Sequence, residues 1–63
     1  MMYTVCTVDE HAEECEQHST ESAGKAEKYA IELAKDYPGM NVFISCPNGY
    51  LNRDGHGPVG KAW

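Results

Sequence analysis

One amphipathic helical segment set between short β-rich stretches predicts an α+β domain. The arrangement is a two-layer ββαβ(β) fold, with one helix on one face of a three- to four-stranded sheet. Three observations carry this. Residues 20–37, TESAGKAEKYAIELAKDY, place Ala23, Ala26, Ala30, Leu33 and Tyr37 at three- and four-residue spacing, and Pro38-Gly39 follows at once. Residues 2–8 (MYTVCTV) and 41–46 (NVFISC) are rich in β-branched and aromatic side chains and too short for a stable helix. At 63 residues the chain has room for one domain, 1–63. A domain of this size hides only about 60% of the surface its unfolded form exposes.

The first strand, 2–8, alternates so that Met2, Cys6 and Val8 share a face with Thr4, and Tyr3, Val5 and Thr7 share the other. Both faces carry apolar groups. Residues 9–18, DEHAEECEQH, read two ways. As a helix they offer Ala12 and Cys15 alone as apolar members and crowd their carboxylates at i, i+3 and i+4. As the second strand of a hairpin they form a charged edge of the kind that discourages aggregation. The strand is favoured, with the turn at about 9–12. A four-residue loop then sets Cys6 opposite Cys15, and a two-residue loop sets Thr4 there.

Ser19 or Thr20 is the expected helix cap, with Glu21 at the positive end of the dipole. Lys25, Glu27, Lys28, Glu32, Lys35 and Asp36 cover the outer surface, and Tyr29 and Ile31 flank the apolar stripe. The alanines, with Gly24 beside them, suggest close approach to a sheet. Pro38 cannot continue the helix, and Gly39 accepts positive φ. In the next strand Val42, Ile44 and Cys46 share one side, Phe43 and Ser45 the other. Pro47-Asn48-Gly49 signals a turn, and Tyr50-Leu51-Asn52 a short returning strand. Residues 53–63, RDGHGPVGKAW, read as an irregular tail.

Placing Met2, Cys6, Val8, Val42, Ile44 and Cys46 beneath the helix leaves Tyr3, Val5, Phe43 and Tyr50 on the uncovered face. Two arrangements satisfy that stripe: docking of a partner or a second copy, or closure by the tail and Trp63.

Net charge is −5, and it is unevenly distributed: Asp9, Glu10, Glu13, Glu14, Glu16 and Glu21 all precede the first basic residue, Lys25. Such a chain is repelled by phosphate backbones, which draw binding energy from clustered Lys and Arg, so direct nucleic-acid binding is not expected. An acidic face can instead be steered toward a basic protein surface. No apolar run reaches the ~18 residues of a membrane span, and MMYTVCTVDE lacks the basic and apolar segments of a secretion signal. The expected location is the cytoplasm, where three cysteines remain reduced thiols.

Cys6, His11, Cys15 and His18 have the ligand types of a zinc site. If residues 9–18 were helical, His11, Cys15 and His18 would share a face that Cys6 completes; in a strand, His18 points away from His11 and Cys15. Gly55 to Lys61 matches G-x-x-x-x-G-K, but Ala62 stands where a phosphate-binding loop needs Ser or Thr. Asn52-Arg53-Asp54-Gly55 has the spacing of part of a calcium loop, but Tyr50 and Lys61 occupy its first and twelfth ligand positions. Cys15 or Cys46 with His56 lacks an orienting third group, and the carboxylates of 9–16 lack a cleft to desolvate them. No enzyme activity and no cofactor are expected.

The strand MYTVCTV, a polar stretch, STESAGKAEKYAIELAKDYPG, the V-F-I-S strand and a glycine-marked turn together resemble the small acidic accessory proteins of tailed bacteriophages. The resemblance spans residues 2–52 as a pattern and brings no assigned functional residues. It implies a class that includes inhibitors of host RNA polymerase, nucleases and CRISPR surveillance complexes. The expectation is therefore a non-enzymatic, phage-type inhibitor acting in the host cytoplasm on a host protein with a basic surface. Tyr3, Val5, Phe43 and Tyr50 are its apolar anchors, and Glu10, Glu13, Glu14 and Glu16 its electrostatic complement. The alternatives are a structural zinc module and a homodimeric accessory protein.

Overall fold

The computed structural model describes residues 1–9, 11 and 14–63, with the backbone alone for 14–16. Strands β1 (Tyr3–Val8) and β2 (Glu14–Thr20) precede helix α1 (Ala23–Asp36), and β3 (Asn41–Cys46), β4 (Gly49–Asn52) and β5 (Gly55–Gly57) follow it. The sheet runs β2-β1-β3-β4-β5 with every neighbouring pair antiparallel. The predicted two-layer α+β fold is thus the observed one, carried out to five strands. Because β2 and β3 flank β1 on opposite sides, the connection through α1 crosses over β1. That crossing lays the alanine stripe on the centre of the sheet.

Pairing of Tyr3 with Thr20 carries β2 through both predicted caps, so Ser19 and Thr20 are strand residues. The cap is Ser22, whose extended backbone (φ −99, ψ 117) lets its Oγ accept from the Lys25 N–H at 3.3 Å. At the other end Tyr37 N–H donates to the Leu33 carbonyl at 2.8 Å and Pro38 halts the spiral. Gly39 is not among the positive-φ glycines, so proline alone explains this stop. Tyr37, expected in the stripe, is exposed, as are Tyr29 and Ile31.

The core joins Tyr3, Val5, Val42, Ile44 and Leu51 of the sheet to Ala26, Ala30 and Leu33 of the helix. This reverses the face assigned to β1. Val5 is 0% exposed and Tyr3 8%, both under the helix, so neither lies on the uncovered face. The reason is register: Val5 pairs with Ile44 and Thr7 with Val42, and laterally paired residues share a face. Met2 is exposed, and Cys6 and Val8 fall on the side away from the helix.

Thr7 sits on the helix side at 1% exposure, and among the described residues its hydroxyl has no hydrogen-bond partner. A buried unpaired hydroxyl is a standing cost. Thr7→Val keeps the shape and removes the group; the expected gain is about 1 kcal/mol. In a domain of this size that raises the melting midpoint by about 4–8 °C, which a thermal scan reads directly.

Residues 53–63 are more ordered than predicted. Pro47-Asn48 links β3 to β4, and Arg53-Asp54 links β4 to β5, each loop followed by a glycine at positive φ (Gly49 +128°, Gly55 +113°). The chain then turns back. Trp63 N–H donates to the Val42 carbonyl at 2.9 Å, its indole Nε1–H donates to the Leu51 carbonyl at 3.1 Å, and its ring packs against the core. Among the described residues no helix is long and apolar enough to cross a membrane.

Candidate functional site

The sheet register fixes which side chains face away from α1. They are Thr4, Cys6 and Val8 of β1, Gln17 and Ser19 of β2, Phe43 and Ser45 of β3, and Tyr50 of β4. Cys6 lies between Gln17 and Phe43, and Ser45 between Thr4 and Tyr50. Cys6, Val8, Phe43, Ser45, Tyr50 and Gly60 line an open hollow of about 400 Å³. Phe43, Tyr50 and Val8 are half-buried.

The returning tail bounds this hollow at one corner. Asn52, 4% exposed, donates from Nδ2 to the Val59 carbonyl at 3.0 Å and accepts the Lys61 N–H on Oδ1 at 2.8 Å. One amide side chain thus stands in for a strand partner and brings Gly60 against the Tyr50 ring. The tail therefore closes the Tyr50 end and leaves Val8 and Phe43 half-buried, with Cys6 buried between Gln17 and Phe43 at 8% exposure. Of the two arrangements weighed from the sequence, closure by the tail is partial: Trp63 packs against the core, and the tail covers only part of the open face.

A second depression, about 450 Å³, shares no lining residue with the first. It is lined by Asp9, His11, Asp36, Tyr37, Pro38, Gly39 and Met40, so it lies at the carboxy-terminal end of α1. Asp9 Oδ1 accepts the His11 N–H at 2.9 Å.

Of the predicted anchors, Phe43 and Tyr50 are on the open face, and Tyr3 and Val5 are in the core. Tyr3 instead turns its hydroxyl toward His56 Nε2 at 3.4 Å. Glu10 and Glu13 lie outside the described residues, as do the side chains of Glu14 and Glu16. The zinc arrangement is not one this sheet makes. Cys6 pairs with Gln17 and His18 with Val5, which puts Cys6 and His18 on opposite faces, where they cannot share an ion. His18 stacks on Tyr29 of the helix, ring centroids 5.2 Å apart. His11 is an exposed turn residue, and the Cys15 side chain lies outside the described residues.

Cys6, Val8 and Gly60 were not predicted for this surface. Cys6 and Val8 were assigned to the wrong side with the rest of β1, and nothing local in the sequence marks Gly60. Asn52 was read as part of a short strand and of an incomplete calcium-loop pattern. The available signal was its place two residues after Tyr50 and directly before the Arg53-Asp54-Gly55 turn, a hairpin mark.

Comparison with protein-family models, with curated proteins and with solved structures gave no match.

Charge on the carboxy-terminal half is locally balanced. Lys61 Nζ meets Asp54 Oδ2 at 2.7 Å, and this hydrogen bond and charge hold the Asp54 carboxyl below the usual carboxylate range. A lowered folded-state pKa means a contribution that is present above the ordinary carboxylate range and lost as pH falls through the folded value. Both groups are well exposed, so the contribution is small. Lys61→Ala should return the Asp54 titration to the ordinary range, measured from its carboxyl chemical shift; an unmoved titration would show the pair to be without effect in solution.

Proposed function

We propose that this chain is a non-enzymatic protein-binding module, an inhibitor of the phage type that docks on a host protein in the cytoplasm through the open face of its sheet. The observation that carries the reading is the hollow around Phe43. Val8, Cys6, Phe43 and Tyr50 converge there from three strands on the side away from α1, and the tail covers Tyr50 alone among them. Half-buried aromatic and apolar groups around a concave centre are the usual seat of binding energy in a protein interface. The net charge of −5 supports a protein partner over a phosphate backbone, and the resemblance of residues 2–52 to phage accessory proteins supports an inhibitor.

Two variants test it. Phe43→Ala removes the central ring, and Ser45→Arg fills the hollow from its rim without touching the core. After folding is verified from the amide spectrum, each is used beside wild type to capture proteins quantitatively from host extract. A partner retained by wild type should be lost at least about tenfold by both. Capture unchanged in both folded variants would discard the docking reading.

A further inference from the structure

Resting on that docking reading, we infer that the open face seats an uncharged stretch of the host protein. One large apolar or aromatic side chain lies over Phe43, and hydroxyl and amide residues flank it. No ion pair forms at the seat.

Charge is divided very unequally between the two layers. Six of the 14 residues of α1 are charged: Lys25, Glu27, Lys28, Glu32, Lys35 and Asp36. That is the ordinary make-up of a helix surface facing water. The outer side of the sheet differs. The described residues that line its hollow include no Lys, Arg, Asp, Glu or His. Around the hollow, register adds Thr4, Gln17, Ser19 and Asn41, again without charge. Glu14, opposite Val8, is the one charged residue among the described positions that register brings to this side, and it belongs to the edge strand β2. A carboxylate at a sheet edge discourages strand-to-strand association. Solvation alone gives a surface no reason to shed charge, whereas the centre of a protein interface is depleted in charged residues and enriched in aromatic ones.

The same lining selects the occupant. A charged side chain pressed onto it would give up water and meet no opposite charge among the described lining residues. Lys61, next to Gly60 in the tail, is already held by Asp54 at 2.7 Å. A nucleic-acid strand could stack on the rings, but this lining offers no Lys or Arg to its phosphates. A second copy would bring another net charge of −5 against the first. What the rim does offer is hydroxyls. Thr4 Oγ1 and Ser19 Oγ lie 3.4 Å apart and share one hydrogen, which leaves the pair one further hydrogen and acceptor capacity. Ser, Thr, Asn or Gln side chains beside a central apolar group use both.

The test uses the whole chain and four short synthetic peptides. The first carries a central Trp between Ser and Asn residues. The second and third replace those flanks by Lys and by Glu, and the fourth keeps the flanks and replaces Trp by Ser; a single-stranded oligonucleotide is the fifth probe. Amide shifts are followed by NMR at low salt and at high salt, where the overall charge is screened. The neutral Trp peptide should shift Cys6, Val8, Phe43 and Ser45 and keep its affinity within about twofold between the two conditions. At high salt it should bind at least about fivefold more tightly than either charged peptide. Replacing Trp by Ser should cost at least about tenfold. Thr4→Lys brings a cation to the rim and should turn the preference to the Glu peptide; Ser19→Lys does so from an exposed position if the first variant fails to fold. Glu14→Gln should leave the order of the peptides unchanged. The proposal is overturned if the Lys peptide, the Glu peptide or the oligonucleotide binds as tightly as the neutral one at high salt, or if Glu14→Gln changes their order. It is equally overturned if a folded lysine variant leaves the preference unmoved, if no peptide shifts these amides, or if they shift only with protein concentration, which marks a second copy as occupant. The docking reading itself falls only on the Phe43→Ala and Ser45→Arg captures.

Discussion

Replacing Gly49 by alanine is expected to remove most of the stability of the domain. Two independent costs meet at this position. Its φ of +128° is a conformation that side-chain-bearing residues rarely adopt, and a Cβ at this position would run into the carbonyl oxygen of Gly57. The obstacle is backbone of β5, which cannot rotate aside as a side chain would. Relief requires β4 and β5 to part where Tyr50 pairs with Gly57, and the tail that follows Gly57 moves with them. The combined penalty is about 3 kcal/mol or more. A core of this size usually supplies only about 3–5 kcal/mol without a staple. Gly55→Ala is the matched control: its φ is +113°, but nothing lies within 4 Å of the added carbon. That variant should lose only about 1–2 kcal/mol. Urea unfolding of the two side by side separates close contact from backbone strain, and equal midpoints would show that the Gly57 carbonyl is not the obstacle.

Asn52→Ala should cost about 2–3 kcal/mol and free the tail. The side chain is buried and uses donor and acceptor at once, so its removal strands both the Val59 carbonyl and the Lys61 N–H. Asn52→Asp should fall between: it still accepts from Lys61 but has no hydrogen to give Val59. The diagnostic reading is local. Hydrogen exchange at Lys61 and Trp63 should accelerate far more than exchange at Val5 or Ile44, because the tail can open while the core holds. Uniform acceleration would mean that Asn52 supports the whole sheet and has no special hold on the tail.

The fold was legible where one period dominated. The alanine stripe with Pro38 located α1, and Val42-Phe43-Ile44 located β3 with the correct side inward. β1 was read with its faces exchanged because Met2, Cys6 and Val8 compete with Tyr3 and Val5 on nearly equal terms. Alternation tells that a strand has two faces, and only the neighbour tells which is buried; here Ile44 decides it. The same exchange divided the proposed anchors, leaving Phe43 and Tyr50 outside and drawing Tyr3 and Val5 in. The cap was misplaced because Ser19, Thr20 and Ser22 all carry suitable hydroxyls, and the length of the β1–β2 ladder selects among them. β5 was missed because its Gly-His-Gly sequence has no strand propensity of its own; the Asp54-Gly55 turn and the ladder to β4 create it.

The crossing of α1 over β1 makes the first strand an interior one, flanked by β2 and by β3 from beyond the helix. A lone two-stranded hairpin is at best marginal in water, so the amino-terminal pair cannot persist while it waits. Val5 must find Ile44, far along the chain, before either is shielded, and the entropy of that closure has to be met at the outset. Refolding should therefore proceed in one concerted event, with no stable half-assembled species and a rate set by the search that brings these two residues together.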